Sequence, residues 1–140
     1  MRFSGAIYKD GKFWLAEIPI LDLTTQGRTK KEAYEMVADM LESLVDKDDF
    51  KITVYTGEKN TFEVGSSEPQ QLVRLLLQRK RELSGLSLAQ VASRLGMKSR
   101  NTYARYEQGR SVPSVEKLNE LLNAVCPQRD IVITESAIPR

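Results

Sequence analysis

The apolar positions change period once along the chain. Up to residue 66 short alternating runs dominate, interrupted by one helical stripe; beyond residue 69 the runs are helical almost to the end. Alternation at period 2 marks a strand with one buried face, and recurrence at i, i+3, i+4, i+7 marks an amphipathic helix. Residues 3–8 and 13–18 read as two strands joined by an Asp-Gly turn at Lys9-Asp10-Gly11-Lys12. Pro19 ends the second strand, and residues 20–25 run extended towards Gly27. Thr29-Lys30-Lys31-Glu32 has the form of a capping box. The helix it opens carries Ala33, Met36, Val37, Met40, Leu41, Leu44 and Val45 on one stripe. Phe50, Ile52 and Val54 then alternate with Lys51, Thr53 and Tyr55 as a half-buried strand, and residues 61–64 form a short further one.

Gly65-Ser66-Ser67-Glu68-Pro69 is small, polar and proline-terminated, as a linker is. Four helical segments follow. Leu72, Leu75, Leu76 and Leu83 mark the first, which Gly85 breaks; Ser87 caps a second with Leu88, Val91, Ala92 and Leu95 inward, and Gly96 ends it. Ser99 caps a third bearing Tyr103 and Tyr106, closed by Gly109. Pro113-Ser114 opens a fourth with Val115, Leu118, Leu121, Leu122 and Val125 inward. Residues 130–134, DIVIT, return to a strand pattern. The fold expected is an α+β N-terminal domain of three to four strands packed on one helix over residues 1–66. A linker at 67–69, an all-α domain at 70–126 and a C-terminal strand or tail at 127–140 complete it. That last strand is expected either to pair with its mate in a second protomer, sealing an exposed edge, or to join its own chain's fold.

Composition removes several function classes. The single cysteine, Cys126, rules out an internal disulfide, and its place at the end of an apolar helix predicts a buried structural thiol. There is no histidine, so the commonest general base and the usual zinc ligands are missing. The expectation is a protein that is not an enzyme and needs no metal or cofactor. No apolar run approaches the roughly 20 residues that cross a bilayer. The N-terminal stretch alternates like a strand and lacks a signal-peptide core, so a cytoplasmic location is expected. The net charge of +2 hides an asymmetry: residues 1–66 hold nine basic and twelve acidic side chains, residues 67–140 twelve and seven. The basic half is the one suited to phosphates.

Helix, tight break, short helix, with one helix before and one after, is the layout of a helix-turn-helix domain. Turning Tyr103 and Tyr106 inward leaves Arg100, Asn101, Thr102, Ala104 and Arg105 outward. Arg reads guanine bidentately, Asn reads adenine, and Thr or Ala meets a thymine methyl. Lys98 and Arg110 flank this helix as candidates for backbone phosphates. Ser87, with the free amides of the helix it opens, and Ser99 complete the candidate DNA contacts.

LSLAQVASRLGMKSRNTYARYEQGRSVPSVEKLNELL resembles the Cro/C1-type (XRE) helix-turn-helix over residues 70–125. Leu86-Ser87-Leu88, Ala92, Leu95-Gly96, Tyr106-Glu107-Gln108-Gly109-Arg110 and Pro113-Ser114 carry the resemblance. Leu88 stands where that family often has a phosphate-binding Gln, with Gln90 nearby as the substitute, and the turn over residues 96–99 looks one residue longer. The resemblance implies a structural ion pair between Glu107 and Arg94. In the front half, IYKDGKFWLAEIPILDLTTQGRTKKEAYEMVADMLESLV resembles the N-terminal domain of HicB antitoxins, through Thr25-Gln26-Gly27-Arg28-Thr29 and Glu32-Ala33. That resemblance implies a partial RNase H-like fold, a small basic HicA-type ribonuclease toxin as partner, and neutralisation by covering the toxin's surface. The acids are poor material for a nuclease: the first strand has none, and Asp39, Glu42 and Asp46 lie on the helix face away from the apolar stripe.

Tyr8 and Trp14, with Asp10, Glu17 and Asp22, are the candidate toxin contacts, since aromatic residues anchor binding hot spots and complementary charge selects the partner. The alternative for Trp14 is simple packing on the helix. The expected assembly is a homodimer or higher even oligomer on double-stranded operator DNA. The rival reading is a stand-alone transcription regulator whose N-terminal domain senses a small ligand.

Overall fold

The computed structural model describes residues 1–140. The chain divides into two compact units, Met1–Pro69 together with Glu135–Arg140, and Gln70–Thr134. No helix is long and apolar enough to cross a membrane.

The first unit is an antiparallel five-stranded sheet in the order β3-β2-β1-β5-β4, with one helix on one face. The strands are β1 (Arg2–Asp10), β2 (Phe13–Ile18), β3 (Leu23–Gly27), β4 (Thr53–Thr56) and β5 (Thr61–Gly65), and the helix is α1 (Lys30–Val45). The sheet exceeds the expected three to four strands because residues 23–27 pair with β2 along their length instead of running as a free connection. A single 3-10 turn, Pro19–Leu21, makes the corner between them. The β1–β2 turn is also displaced by one residue from the expected Asp-Gly turn: Asp10 pairs with Phe13, so Gly11 and Lys12 are the two central residues. Gly11 takes a positive φ of 59° there, as the first position of a primed hairpin turn requires.

Side chains alternate across each strand. Phe3 and Ile7 of β1, Ala16 and Ile18 of β2, and Phe62 and Val64 of β5 are buried on the helix side. Ala33, Val37, Leu41 and Val45 of α1 complete that core. Met36 and Leu44, read as part of the same stripe, remain substantially exposed. The fully buried positions form an i, i+4 row, and the half-buried Tyr34, Ala38 and Met40 flank it, Tyr34 edge-on to Phe62 of β5. Thr29 caps α1 by accepting from the Glu32 amide at 3.0 Å.

The second unit holds α2 (Pro69–Leu83), α3 (Leu88–Arg94), α4 (Arg100–Glu107) and α5 (Val115–Val125). Leu77, Val91, Ala92, Tyr103, Leu121 and Val125 form its buried core, with Leu86, Leu95, Met97, Tyr106, Leu118 and Cys126 packed around it. Cys126 is thus half-buried beside the core, short of the full burial expected.

Within its own chain the C-terminal strand is not formed, so the alternative in which it joins that chain's fold does not hold. Residues 127–140 hold no strand, and Ile131, Val132 and Ile133 are all exposed. A strand exists through its bonds to a neighbour, and no backbone group of residues 130–134 is bonded in this chain. The last residues belong to the first unit instead. Arg2 donates to Ser136 Oγ at 3.2 Å and to the Ile138 carbonyl at 2.8 Å, while also pairing with Glu63 at 2.9 Å.

Candidate nucleic-acid interface

Two glycines bracket α4 and set its direction. α3 ends on Gly96 (φ 70°), with the Gly96 amide on the Ser93 carbonyl at 3.0 Å and the Met97 amide on the Ala92 carbonyl at 2.9 Å. That pair of bonds is a Schellman motif, whose left-handed residue is cheap only for glycine. α4 ends the same way on Gly109 (φ 76°), with Arg110 N bonded to the Arg105 carbonyl at 2.9 Å. Between α3 and α4, Met97 packs back onto the core. Ser99 then caps α4, accepting from the Asn101 amide at 3.2 Å.

α4 is held from behind by a charged pair. Glu107 is 8% exposed and accepts two bonds from Arg81 of α2, Nε to Oε2 at 2.8 Å and Nη2 to Oε1 at 2.9 Å. This is the bidentate geometry that makes arginine–carboxylate pairs strong. Arg81 also reaches the Leu86 carbonyl at 3.0 Å, so one guanidinium ties the end of α2, the α2–α3 connection and the end of α4 together. The carboxylate bond raises the Arg81 pKa above its already high value. The pair expected between Glu107 and Arg94 does not form. Arg94 is exposed on α3 and donates instead to the Ala124 carbonyl at the end of α5, at 3.0 Å. Beside Glu107 the Tyr103 hydroxyl is buried with no acceptor in bonding geometry. Burial first, and then the neighbouring carboxylate, push its pKa far above the usual tyrosine range. The Glu107 carboxylate lies near enough to oppose ionisation of that hydroxyl, and the Arg81 charge offsets part of the effect.

With that side fixed, the opposite side of α4 is free. Arg100, Asn101, Thr102 and Arg105 are exposed, as are Lys98 and Ser99 before the helix and Arg110 after it. Asn101, Thr102, Arg105 and Arg110 line one shallow groove of about 470 Å³ together with Gln108. Gln108 escaped the sequence reading; its signal was the spacing 101, 105, 108, which continues the same stripe. Ala104, read as outward, is buried at 4% exposure. Ser87 and Gln90 are exposed but already occupied. Ser87 Oγ accepts from the Gln90 amide at 3.1 Å, and Gln90 Oε1 accepts from the Ser87 amide at 2.8 Å. This capping box leaves the Ser87 hydroxyl and the Gln90 amino group as donors to an outside anion, not as free acceptors.

The five candidate residues of the first unit do not share one surface. Strand pairing sets Tyr8 opposite Leu15, Ala6 opposite Glu17 and Asp10 opposite Phe13. All six side chains therefore stand on the sheet face that α1 leaves uncovered, with Tyr8 and Phe13 the exposed aromatics. Trp14 has the other parity. It shares the helix side with Ala16 and Ile18, and the Lys30 ammonium lies 4.9 Å from its ring centroid. Asp22 sits at the corner after the 3-10 turn in a left-handed conformation (φ 49°). Phe13, Leu15 and Ala6 were missed by the sequence reading, although period-2 parity with Tyr8 points to them.

Residues 72–130 match the family model of a helix-turn-helix domain. A comparison with curated proteins returns no match. Geometry and family model agree that the second half of the chain is a DNA-binding helix-turn-helix domain, with α3 and α4 as its paired helices.

Proposed function

We propose that the chain is an antitoxin of the HicA/HicB type. Its helix-turn-helix domain binds operator DNA and autoregulates transcription, while its sheet domain masks a small basic ribonuclease toxin. One observation carries the DNA half: the exposed stripe of Arg100, Asn101, Thr102 and Arg105 on a helix whose other side is pinned by Arg81 and Glu107. Two such helices in a dimer stand about 34 Å apart to meet successive major grooves. Support for the toxin half comes from the HicB-like sequence pattern of the front domain. The uncovered sheet face adds to it, with Ala6, Tyr8, Phe13 and Leu15 set beside the acids Asp10 and Glu17. An apolar centre rimmed by acids suits a basic protein partner. The rival, a ligand-sensing regulator, draws on an open apolar hollow lined by Lys31, Tyr34, Glu35, Ala38 and Val54.

Two experiments test the proposal. Arg100→Ala or Asn101→Ala costs about 1–3 kcal/mol at one base position, while Lys98→Ala weakens every sequence and lowers the salt slope by about one. Operator affinity that survives removal of both Arg100 and Asn101 rules out α4 as the reader. Co-expression with the adjacent open reading frame, followed by pull-down and native mass measurement, retains a small basic protein. A bound metabolite with no retained protein favours the regulator.

A further inference from the structure

The chain from residue 129 to residue 135, RDIVITE, is self-complementary when turned against a second copy of itself. We infer that these residues pair antiparallel between two copies, about a two-fold axis at Val132. In that register Val132 meets Val132 of the second copy. Ile131 meets Ile133, Asp130 meets Thr134, and Arg129 meets Glu135. Every charged residue falls opposite a polar or oppositely charged one, and the three apolar residues fall opposite one another. Cross-strand pairs of this kind are the units that stabilise a sheet, and like charges directly opposite destabilise it.

The single chain leaves this segment unused. Ile131, Val132 and Ile133 are 40%, 78% and 93% exposed. Residues 130–134 make no backbone hydrogen bond, and neither the Arg129 nor the Glu135 side chain meets a partner in its own chain. Three consecutive exposed β-branched residues are strand formers without a strand. Both ends of the segment are fixed: Cys126 N bonds the Leu122 carbonyl at the end of α5, and Ser136 and Ile138 bond Arg2. Alternation places Arg129, Ile131, Ile133 and Glu135 on one face of the pair. Two copies therefore bring four isoleucines together between two ion pairs. A two-stranded ribbon is marginal by itself, but two copies bound to the half-sites of one duplex raise each other's effective concentration. The inference deepens the DNA-binding proposal, on which it rests, by naming the surface that joins the two copies.

The test is native mass and light scattering of the full-length chain across a dilution series, with circular dichroism as the fold control. Val132→Lys sets two ammonium groups against each other at the axis. It is expected to halve the assembled mass or to raise the dimer Kd by at least about 100-fold. Arg129→Glu and Glu135→Arg each create two like-charge pairs and raise Kd about tenfold or more; the double reversal restores it to within about threefold. The inference is overturned by a wild-type chain that stays monomeric throughout, by Val132→Lys leaving the mass unchanged, or by a double reversal no better than the singles. Failure of the DNA reading looks different. It shows as Arg100→Ala and Asn101→Ala binding duplex as wild type does, with the assembled mass unaffected.

Discussion

Replacing Glu107 by glutamine keeps the shape of the side chain and removes its charge. Arg81 then loses its counter-ion while its guanidinium stays 16% exposed behind α4. Breaking a buried pair by removing one partner costs about 3–5 kcal/mol, because the surviving charge is left uncompensated. The residual exposure of Arg81, and its remaining bond to the Leu86 carbonyl, place Glu107→Gln at the lower end, about 3 kcal/mol. A unit the size of Gln70–Thr134 has roughly 3–10 kcal/mol of stability in all. The loss is thus about 30% or more of the total, and lowers the melting temperature by roughly 12–24 °C. The single tryptophan, Trp14, lies in the other unit, so its fluorescence follows the sheet. Far-ultraviolet circular dichroism follows the helices, of which α2 to α5 hold 41 residues and α1 of the sheet unit 16, so its larger part reports on the second unit. Urea titration of Glu107→Gln is expected to shift the dichroism transition and leave the fluorescence transition in place. Arg94→Ala, which removes only the bond to the Ala124 carbonyl, costs less than about 1 kcal/mol. Arg81→Met with Glu107→Leu recovers most of the loss, since an apolar pair replaces an ion pair at little cost. If Glu107→Gln loses less than about 1 kcal/mol, or no more than Arg94→Ala does, the pair is not what fixes α4.

Tyr103→Phe removes a buried hydroxyl that has no partner, so stability at neutral pH is unchanged or rises by up to about 1 kcal/mol. The folded pKa of Tyr103 lies above the unfolded value of about 10, so its contribution is whole below that pH and is lost as pH rises above it. Urea titrations on either side of pH about 10 should show the wild type losing up to about 1.4 kcal/mol per pH unit more than Tyr103→Phe. Gly96→Ala meets no atom within 4 Å but must hold φ 70°, at a cost of roughly 1–2 kcal/mol. Gly96→Asn should recover part of that in the same titration, and equal stability for all three chains would show that the turn is not strained.

The local signals in the sequence were accurate because they depend on neighbours in the chain. Thr29, Ser87, Ser99 and Ser114 all cap the helices they precede, and Gly85, Gly96 and Gly109 all take the left-handed conformation at helix ends. Errors arose where the partner lies far along the chain. Glu107 could be assigned an arginine by pattern but not the correct one, because Arg81 is 26 residues away and arrives through the packing of α2. Trp14 was grouped with Tyr8 for its chemistry, although alternation from any two-residue turn between β1 and β2 puts them on opposite faces. The outward stripe of α4 was legible from its tyrosines, apart from Ala104, whose size suits either side of a helix. The run at residues 130–134 was legible as a strand propensity; no neighbour within its own chain completes it, since propensity does not supply a partner.

The bonds from Arg2 to Ser136 and Ile138 make the sheet unit discontinuous in the sequence. In the order of synthesis, the DNA-reading helices are an insertion inside it. A ribosome completes those helices while the outer end of β1 still lacks the residues that dock on it. A chain without residues 135–140 keeps all five strands and every helix, and loses the bonds that dock Ser136 and Ile138 on Arg2.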